Sequence, residues 1–323
     1  VSEERSLSIG VDIGGTTIKS GVVDIAKGKV LKTTVADTPK ASSIDIAKLV
    51  ARQVNVLLHN YPEIVEVGVG VPGSLNEERT LVQYPPNFPV WANEPFAEYL
   101  RKELPHFDKV EIDNDANAAT LAEAIFGAGK GESHFLLATL GTGVGGGIWS
   151  DGAIYRGKFG GAGEFGHVSI DYNGPVCGCG AKGCIEAFIG KDYLVSRTTN
   201  KLLGSKITSS LTKWLPSKSL EPKHIAEAAM AGDVFAKEVL SEVGMMLGVA
   251  MANVAKLLDI RTFIVAGGIA EAGELIISSA RNSLESNVFA NQKGSVSLVE
   301  SKLGLQSGII GASLLPSFFT ASL

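Results

Sequence analysis

Leu7-Ser8-Ile9-Gly10-Val11-Asp12-Ile13-Gly14-Gly15-Thr16-Thr17-Ile18-Lys19-Ser20-Gly21-Val22-Val23 is the stretch that decides the fold. An apolar run from Leu7 to Asp12 ends in glycines and threonines, and a strand pattern resumes from Ile18 to Val23, so the segment reads as a β-hairpin with a glycine-rich turn. The turn follows neither the dinucleotide pattern of three spaced glycines nor the P-loop pattern ending in Lys and Ser/Thr, which disfavours a Rossmann reading. Glycines at a tight turn bring backbone amides close to phosphate oxygens. Thr16 and Thr17 add hydroxyl donors, and Asp12 is placed to orient hydrated Mg2+. Taken singly, such a segment is equally well a plain turn.

The pattern recurs far downstream. Phe135 to Leu140 is a second apolar run, followed by Gly141-Thr142-Gly143 and by a strand pattern from Val144 to Trp149. Two strand, Gly/Thr turn, strand units favour two like halves whose turns hold a polyphosphate from both sides, with a boundary near Gly127 to Gly131. Around them, Ile44 to Leu58 has the stripe of an amphipathic helix and Val65 to Val71 reads as a buried strand. Val110 to Ile112 is a strand leading through Asp113-Asn114-Asp115-Ala116-Asn117 into a helix over Ala118 to Phe126. Asp233 to Asp259 is a long helix in which Gly244, Gly248 and Ala252 permit close packing, and Thr262 to Ala266 is a strand ended by Gly267 and Gly268. Strands alternating with helices in each half make this an α/β protein of two similar domains. Ser209, Ser210 and Ser217 mark a surface loop.

A chain of 323 residues exceeds what a single hydrophobic core usually serves, in keeping with two domains. The net charge of -5 gives no general attraction to nucleic acid or anionic lipid, which leaves small molecules as the expected partners. Val1 to Gly10 shows no apolar leader, and Val243 to Ala255, closed by Lys256 and Asp259, is too short for a membrane span, so a cytoplasmic location is expected. All three cysteines lie between Cys177 and Cys184. With His167 they make one imidazole and three thiolates, a closed tetrahedral set for structural Zn2+. Three reduced cysteines beside a core histidine are the alternative, and the glycines interleaved among the cysteines favour the metal knuckle.

On these motifs the chain resembles the ROK family of sugar kinases, within the actin and hexokinase-like superfamily, over nearly its whole length. The family's phosphate signature matches Asp12 to Lys19, with Gly14, Gly15, Thr16, Thr17 and Lys19 at the nucleotide. Its second phosphate turn matches Gly141, Thr142 and Gly143, and its adenosine segment is similar to Ala266-Gly267-Gly268-Ile269. The resemblance implies a two-domain actin-like ATPase (ribonuclease H-like) fold with ATP in an interdomain cleft, and a zinc knuckle. It implies domains of 1–128, with a C-terminal helix at 306–323 packing back on the first, and 129–305. By residue pattern alone, Asp115 reads more readily as a helix cap. The resemblance makes it the general base that takes the sugar hydroxyl proton, with Asn114 binding the sugar. Glu164 and His167 in Gly163-Glu164-Phe165-Gly166-His167, and Glu186 after Cys184, match sugar-binding motifs; carboxylates suit pairs of sugar hydroxyls. Gly73 and Ser74 are expected to contribute contacts, and Gly143 to lie at the sugar as well. Asn87 is similar to a family asparagine, although its flanks, Pro85-Pro86 and Phe88-Pro89, depart from the family form and also suit a turn.

The activity so implied is transfer of the γ-phosphate of ATP to the 6-hydroxyl of a hexose, glucose first, with N-acetylmannosamine or fructose as alternatives. His167 would bind zinc with one ring nitrogen and a sugar hydroxyl with the other. A sugar-responsive repressor of the same family is the reading from another class. It is disfavoured because the residues before Asp12 are too few for a helix-turn-helix and no basic cluster is present. A binding protein without catalysis is disfavoured by Asp12, both turns and Asp115. A homodimer is implied by the resemblance alone.

Overall fold

The computed structural model describes residues 6–204, 207–215 and 219–320. Val1 to Arg5, read above for a leader, lie outside the described residues, as do Ser217 and 321–323 of the expected C-terminal helix.

The chain opens with β1 (Leu7–Ile13), β2 (Thr17–Asp24) and β3 (Lys29–Asp37), then α1 (Ser43–Leu58) and β4 (Glu66–Val71). Short strands β5 (Ser74–Leu75), β6 (Val82–Gln83) and β7 (Asn93–Glu94) form a small sheet of their own before α2 (Phe96–Glu103), β8 (Lys109–Asn114) and α3 (Asp115–Ile125). There follow β9 (His134–Leu140), β10 (Val144–Ser150), β11 (Ala153–Ile154), α4 (Glu186–Ile189), α5 (Lys191–Gly204), α6 (Pro222–Met230) and α7 (Val234–Leu258). The chain closes with β12 (Thr262–Ala266), α8 (Glu274–Asn287), β13 (Ser297–Glu300) and α9 (Ser307–Thr320).

The two larger sheets have orders β3-β2-β1-β4-β8 and β11-β10-β9-β12-β13. Counted within each sheet, both run third, second, first, fourth, fifth. In each, the strand after the Gly/Thr turn lies beside the strand before it, and the later strands join in parallel: β1 with β4 and β4 with β8, β9 with β12 and β12 with β13. The duplication read from two turns therefore extends to whole sheets.

The chain divides into two compact units, one made of 1–133, 147–163 and 302–323, the other of 134–146 and 164–301. In the first unit, Ile9, Val11, Val67, Val69 and Ile112 form a fully buried sheet interior with Ile46, Val50, Val54 and Leu57 of α1. Helix α1 starts where Ser42 accepts a hydrogen bond from the Asp45 amide, an N-cap that satisfies one of its otherwise unpaired donors. The other face of this sheet meets α9 at unusually short range: a methyl group on Gly10 or Gly68 would collide with the Ile309 or Ala312 carbonyl. In the second unit, Gly244 and Gly248 let α7 lie against α8, where a methyl group would strike the Ile276 and Ala280 carbonyls. The long apolar helix thus has its partner inside its own unit. Helix α7 starts at Asp233, whose carboxylate also binds Ser209 and Ser210. The structure corrects the surface-loop reading there: Ser209 is buried and caps a 3-10 helix over Ser210–Trp214. The physical reason is Asp233, a distant carboxylate that gathers both hydroxyls.

Candidate active site

In the first unit, β1 and β2 deliver the first turn. The Gly14 amide donates to the Thr17 carbonyl at 2.9 Å, and Thr38 clamps the turn from β3's end, its hydroxyl donating to the Gly14 carbonyl at 2.8 Å and its amide to Thr16. Asp12 and Lys19 face each other across the hairpin register. Asp12 as a residue is half-buried, yet its carboxylate is walled in by Gly308 at the start of α9. Burial pushes this carboxyl above the usual range, and Lys19 pulls it part of the way back. Asn87 packs directly on Gly15, so the structure brings this expected sugar residue to the first Gly/Thr turn.

Strand β8 ends in the acidic run, and the three residues take separate tasks. Asp113 is buried and holds Arg156 through Nη2 and Nε, while accepting from the Asn114 amide at 2.8 Å and Asn117 Nδ2 at 3.2 Å. Asn114 caps α3, accepting from the amides of Ala116 at 2.9 Å and Asn117 at 3.1 Å, and donates Nδ2 to the Gly73 carbonyl at 3.1 Å. Capping, which pattern alone gave to Asp115, belongs to Asn114. Asp115 is the first residue of the helix, half-buried, where the dipole favours a carboxylate. Gly73 occupies a left-handed conformation (φ 99°) that a side chain would strain, and Ser74 begins β5 beside it.

In the second unit, the Gly141 amide donates to the Gly143 carbonyl at 2.9 Å, closing the second turn. Glu186, the first residue of α4, reaches the same turn: Oε2 accepts from the Val144 amide at 2.8 Å. Gly267, at φ 96°, follows β12 and lies so close to Leu140 that a side chain would strike its carbonyl, and Gly268 is open on its free side.

His167, Cys177, Cys179 and Cys184 meet with all ligand atoms within 4.8 Å of one another. Zinc with sulfur arms of about 2.3 Å sets tetrahedral sulfur pairs about 3.8 Å apart. Cys179 and Cys184 are 3.7 Å apart, and Cys177 Sγ is 3.6 Å from His167 Nδ1, so the donor set fits that ion. Burial pushes the Cys177 thiol up to about 12, with Cys184 and Glu186 adding to the rise, and Cys184 is also raised, first by burial. His167 Nε2 points the other way, 4.0 Å from Glu164.

Asp113 and Arg156 were missed by sequence reasoning. Arg156 stands far from the acidic run in an ordinary-looking loop, and no local spacing announces the pair; β8 reads Lys-Val-Glu-Ile-Asp-Asn, so Asp113 is one charged residue among several and gives no signal of its own.

The model of the ROK family matches residues 8–317. The chain belongs to the ROK family. A glucokinase of Thermotoga maritima is 36% identical across 94% of this chain and 95% of its own. A ROK glucokinase structure from Streptomyces griseus, in complex with glucose and AMPPNP, superposes with a TM-score of 0.88 at 34% identity, covering 97% of this chain and 99% of that one. The xylose repressor of Bacillus spizizenii is 25% identical over 97% of this chain but 77% of its own length. The fold is the two-domain actin-like ATPase fold of ROK glucokinases. No described helix is long and apolar enough to cross a membrane.

Proposed function

We propose that this ROK protein is an ATP-dependent hexose kinase that transfers the γ-phosphoryl group of ATP to the 6-hydroxyl of glucose. The observation that carries this reading is near end-to-end likeness to glucokinases, one of them holding glucose and an ATP analogue. The two compact units serve as its two domains.

Phosphoryl transfer needs an aligned hydroxyl, a base and charge compensation more than covalent help. Asp115, the first residue of α3, takes the hydroxyl proton. Asn114 keeps one amide hydrogen beyond its bond to Gly73 for a sugar hydroxyl. Glu164, Glu186 and His167 Nε2 supply further sugar contacts, with Gly73, Ser74 and Asn87 completing the set. The amides of Gly15 and Gly143, with Thr16, Thr17, Thr142 and Lys19, hold the phosphates, on turns that the Gly14 and Gly141 amides close; Gly267 and Gly268 border the adenosine. Asp12 orients hydrated Mg2+, which neutralises phosphate charge when bound. Zn2+ held by His167, Cys177, Cys179 and Cys184 is structural, since four protein ligands leave no position for water. The protein works in the cytoplasm as a homodimer.

ADP release measured with ATP and Mg2+ across glucose, mannose, fructose, N-acetylglucosamine and N-acetylmannosamine tests activity and substrate together. Glucose is expected to be turned over with the highest kcat/KM. Preference for N-acetylmannosamine or fructose would replace the substrate, and silence on every sugar would remove the kinase reading.

A further inference from the structure

The metal knuckle and the second Gly/Thr turn are mechanically one object. Two of the four metal ligands sit on segments that grip Gly141 to Val144. Next to His167, Gly166 lies so close to Val144 that any side chain would strike the Val144 carbonyl. Two residues beyond Cys184, Glu186 accepts the Val144 amide with Oε2, while Oε1 lies 3.7 Å from Cys177 Sγ. The same short stretch then returns to the turn: the Lys191 amide donates to the carbonyls of Gly141 at 3.2 Å and Thr142 at 3.1 Å. Gly143 is the residue that admits the Glu186 carboxylate, since a methyl group there would collide with Oε2. The knuckle has little apolar interior, Cys177, Cys184 and Ala187 with Tyr193 against them, so the shape of its segments depends on what the ligand set holds.

We infer that Glu186 is a positioning residue for the nucleotide turn, transmitting the order of the metal knuckle to the Val144 amide, so that metal and ATP binding are coupled even without sugar. This rests on reading Gly141 to Gly143 as a phosphate turn. It gives Glu186 a task separate from contacting the hexose, and it predicts that loss of the metal raises KM for ATP as well as KM for the sugar.

The test measures AMPPNP affinity by calorimetry in the absence of any sugar, and amide hydrogen exchange at Val144, in the zinc-loaded protein, in chelator-treated protein, and in Glu186→Ala and Glu186→Gln. A charge-assisted hydrogen bond corresponds to roughly a tenfold to hundredfold change in equilibrium. Glu186→Ala is therefore expected to weaken AMPPNP at least tenfold and to speed Val144 exchange by a similar factor, with β12 amides unchanged. Glu186→Gln, which keeps a carbonyl acceptor for Val144, should restore AMPPNP binding to within a few-fold while sugar affinity stays reduced. Chelation should add little to Glu186→Ala, because both break the same link. Gly143→Ala, which expels the carboxylate from the other side, should reproduce the alanine phenotype. Unchanged sugar-free AMPPNP affinity and unchanged Val144 exchange in Glu186→Ala would reduce Glu186 to a sugar ligand and overturn the inference, as would fully additive effects of chelation. A wild-type protein that binds no AMPPNP at all would instead overturn the phosphate-turn reading, on which the inference depends; Val144 exchange would still report whether the brace exists.

Discussion

Asp113, Asn114 and Asp115 stand side by side in sequence and do three different things, because a strand end and a helix start aim consecutive side chains in different directions. Asp115→Asn is expected to retain glucose binding by calorimetry while kcat falls by about 10²- to 10⁴-fold, since the amide cannot accept the proton; near-normal turnover would take Asp115 out of that role. Arg156→Met leaves Asp113 buried without its counter-charge, a loss of about 3 to 5 kcal/mol expected in urea unfolding, and a far smaller loss would mean that water reaches the site. Asp12 gives a prediction with a pH signature. Its folded-state pKa lies above the unfolded value, so it binds its proton more readily folded than unfolded. The cost of its charge is absent below the unfolded carboxylate range and grows as pH rises through the folded value. Asp12→Asn should accordingly be more stable than wild type at pH 7, with the gap closing in melts taken towards pH 3, while ATP-dependent turnover is lost. At this scale the sequence reveals residue types but not partners. The first turn, the acidic run and the cysteines were legible because each is local. The bonds of Asp113 to Arg156 and of Glu186 to Val144 were not, because a contact between distant segments leaves no spacing to read.

Among the elements, periodicity carried the reading furthest where one face meets one neighbour. Helix α1 spans nearly the residues its apolar stripe predicts, and α7 ends at Asp259, in a left-handed conformation, just where the pattern stops. Glycines were harder to read, since their consequence depends on what approaches them. Gly244 and Gly248 could be assigned to helix packing from their spacing, but Gly10 and Gly68 sit on strands and their partner, α9, comes from the far end of the chain. Gly10→Ala should be destabilising by about 3 kcal/mol, as overpacking of a rigid helix-sheet contact requires backbone movement. Thermal or urea unfolding reads this directly, and a near-neutral variant would mean that α9 can slide along the sheet.

For the molecule as a whole, the common strand order shows that a single architectural plan was used twice, and the cluster of His167 and the three cysteines is an addition to the second copy, lying between β11 and α4 in the chain. Cys179→Ser should lower bound zinc per chain and loosen the unit of 134–146 and 164–301, seen as faster hydrogen exchange around 164–191, while β1 and β4 amides keep their protection. Equal loss of protection in both units would make the metal a determinant of the entire fold. The interleaving of the units bears also on how the protein is made. Nascent chains ordinarily complete their N-terminal domain first. Here the sheet of β1 and β4 must wait with Gly10 and Gly68 uncovered until α9, made after every strand and helix of the other unit, arrives to seal it. The later unit is finished earlier, and a chain stalled before Ser307 should display a folded second half and an exposed, chaperone-accessible first one.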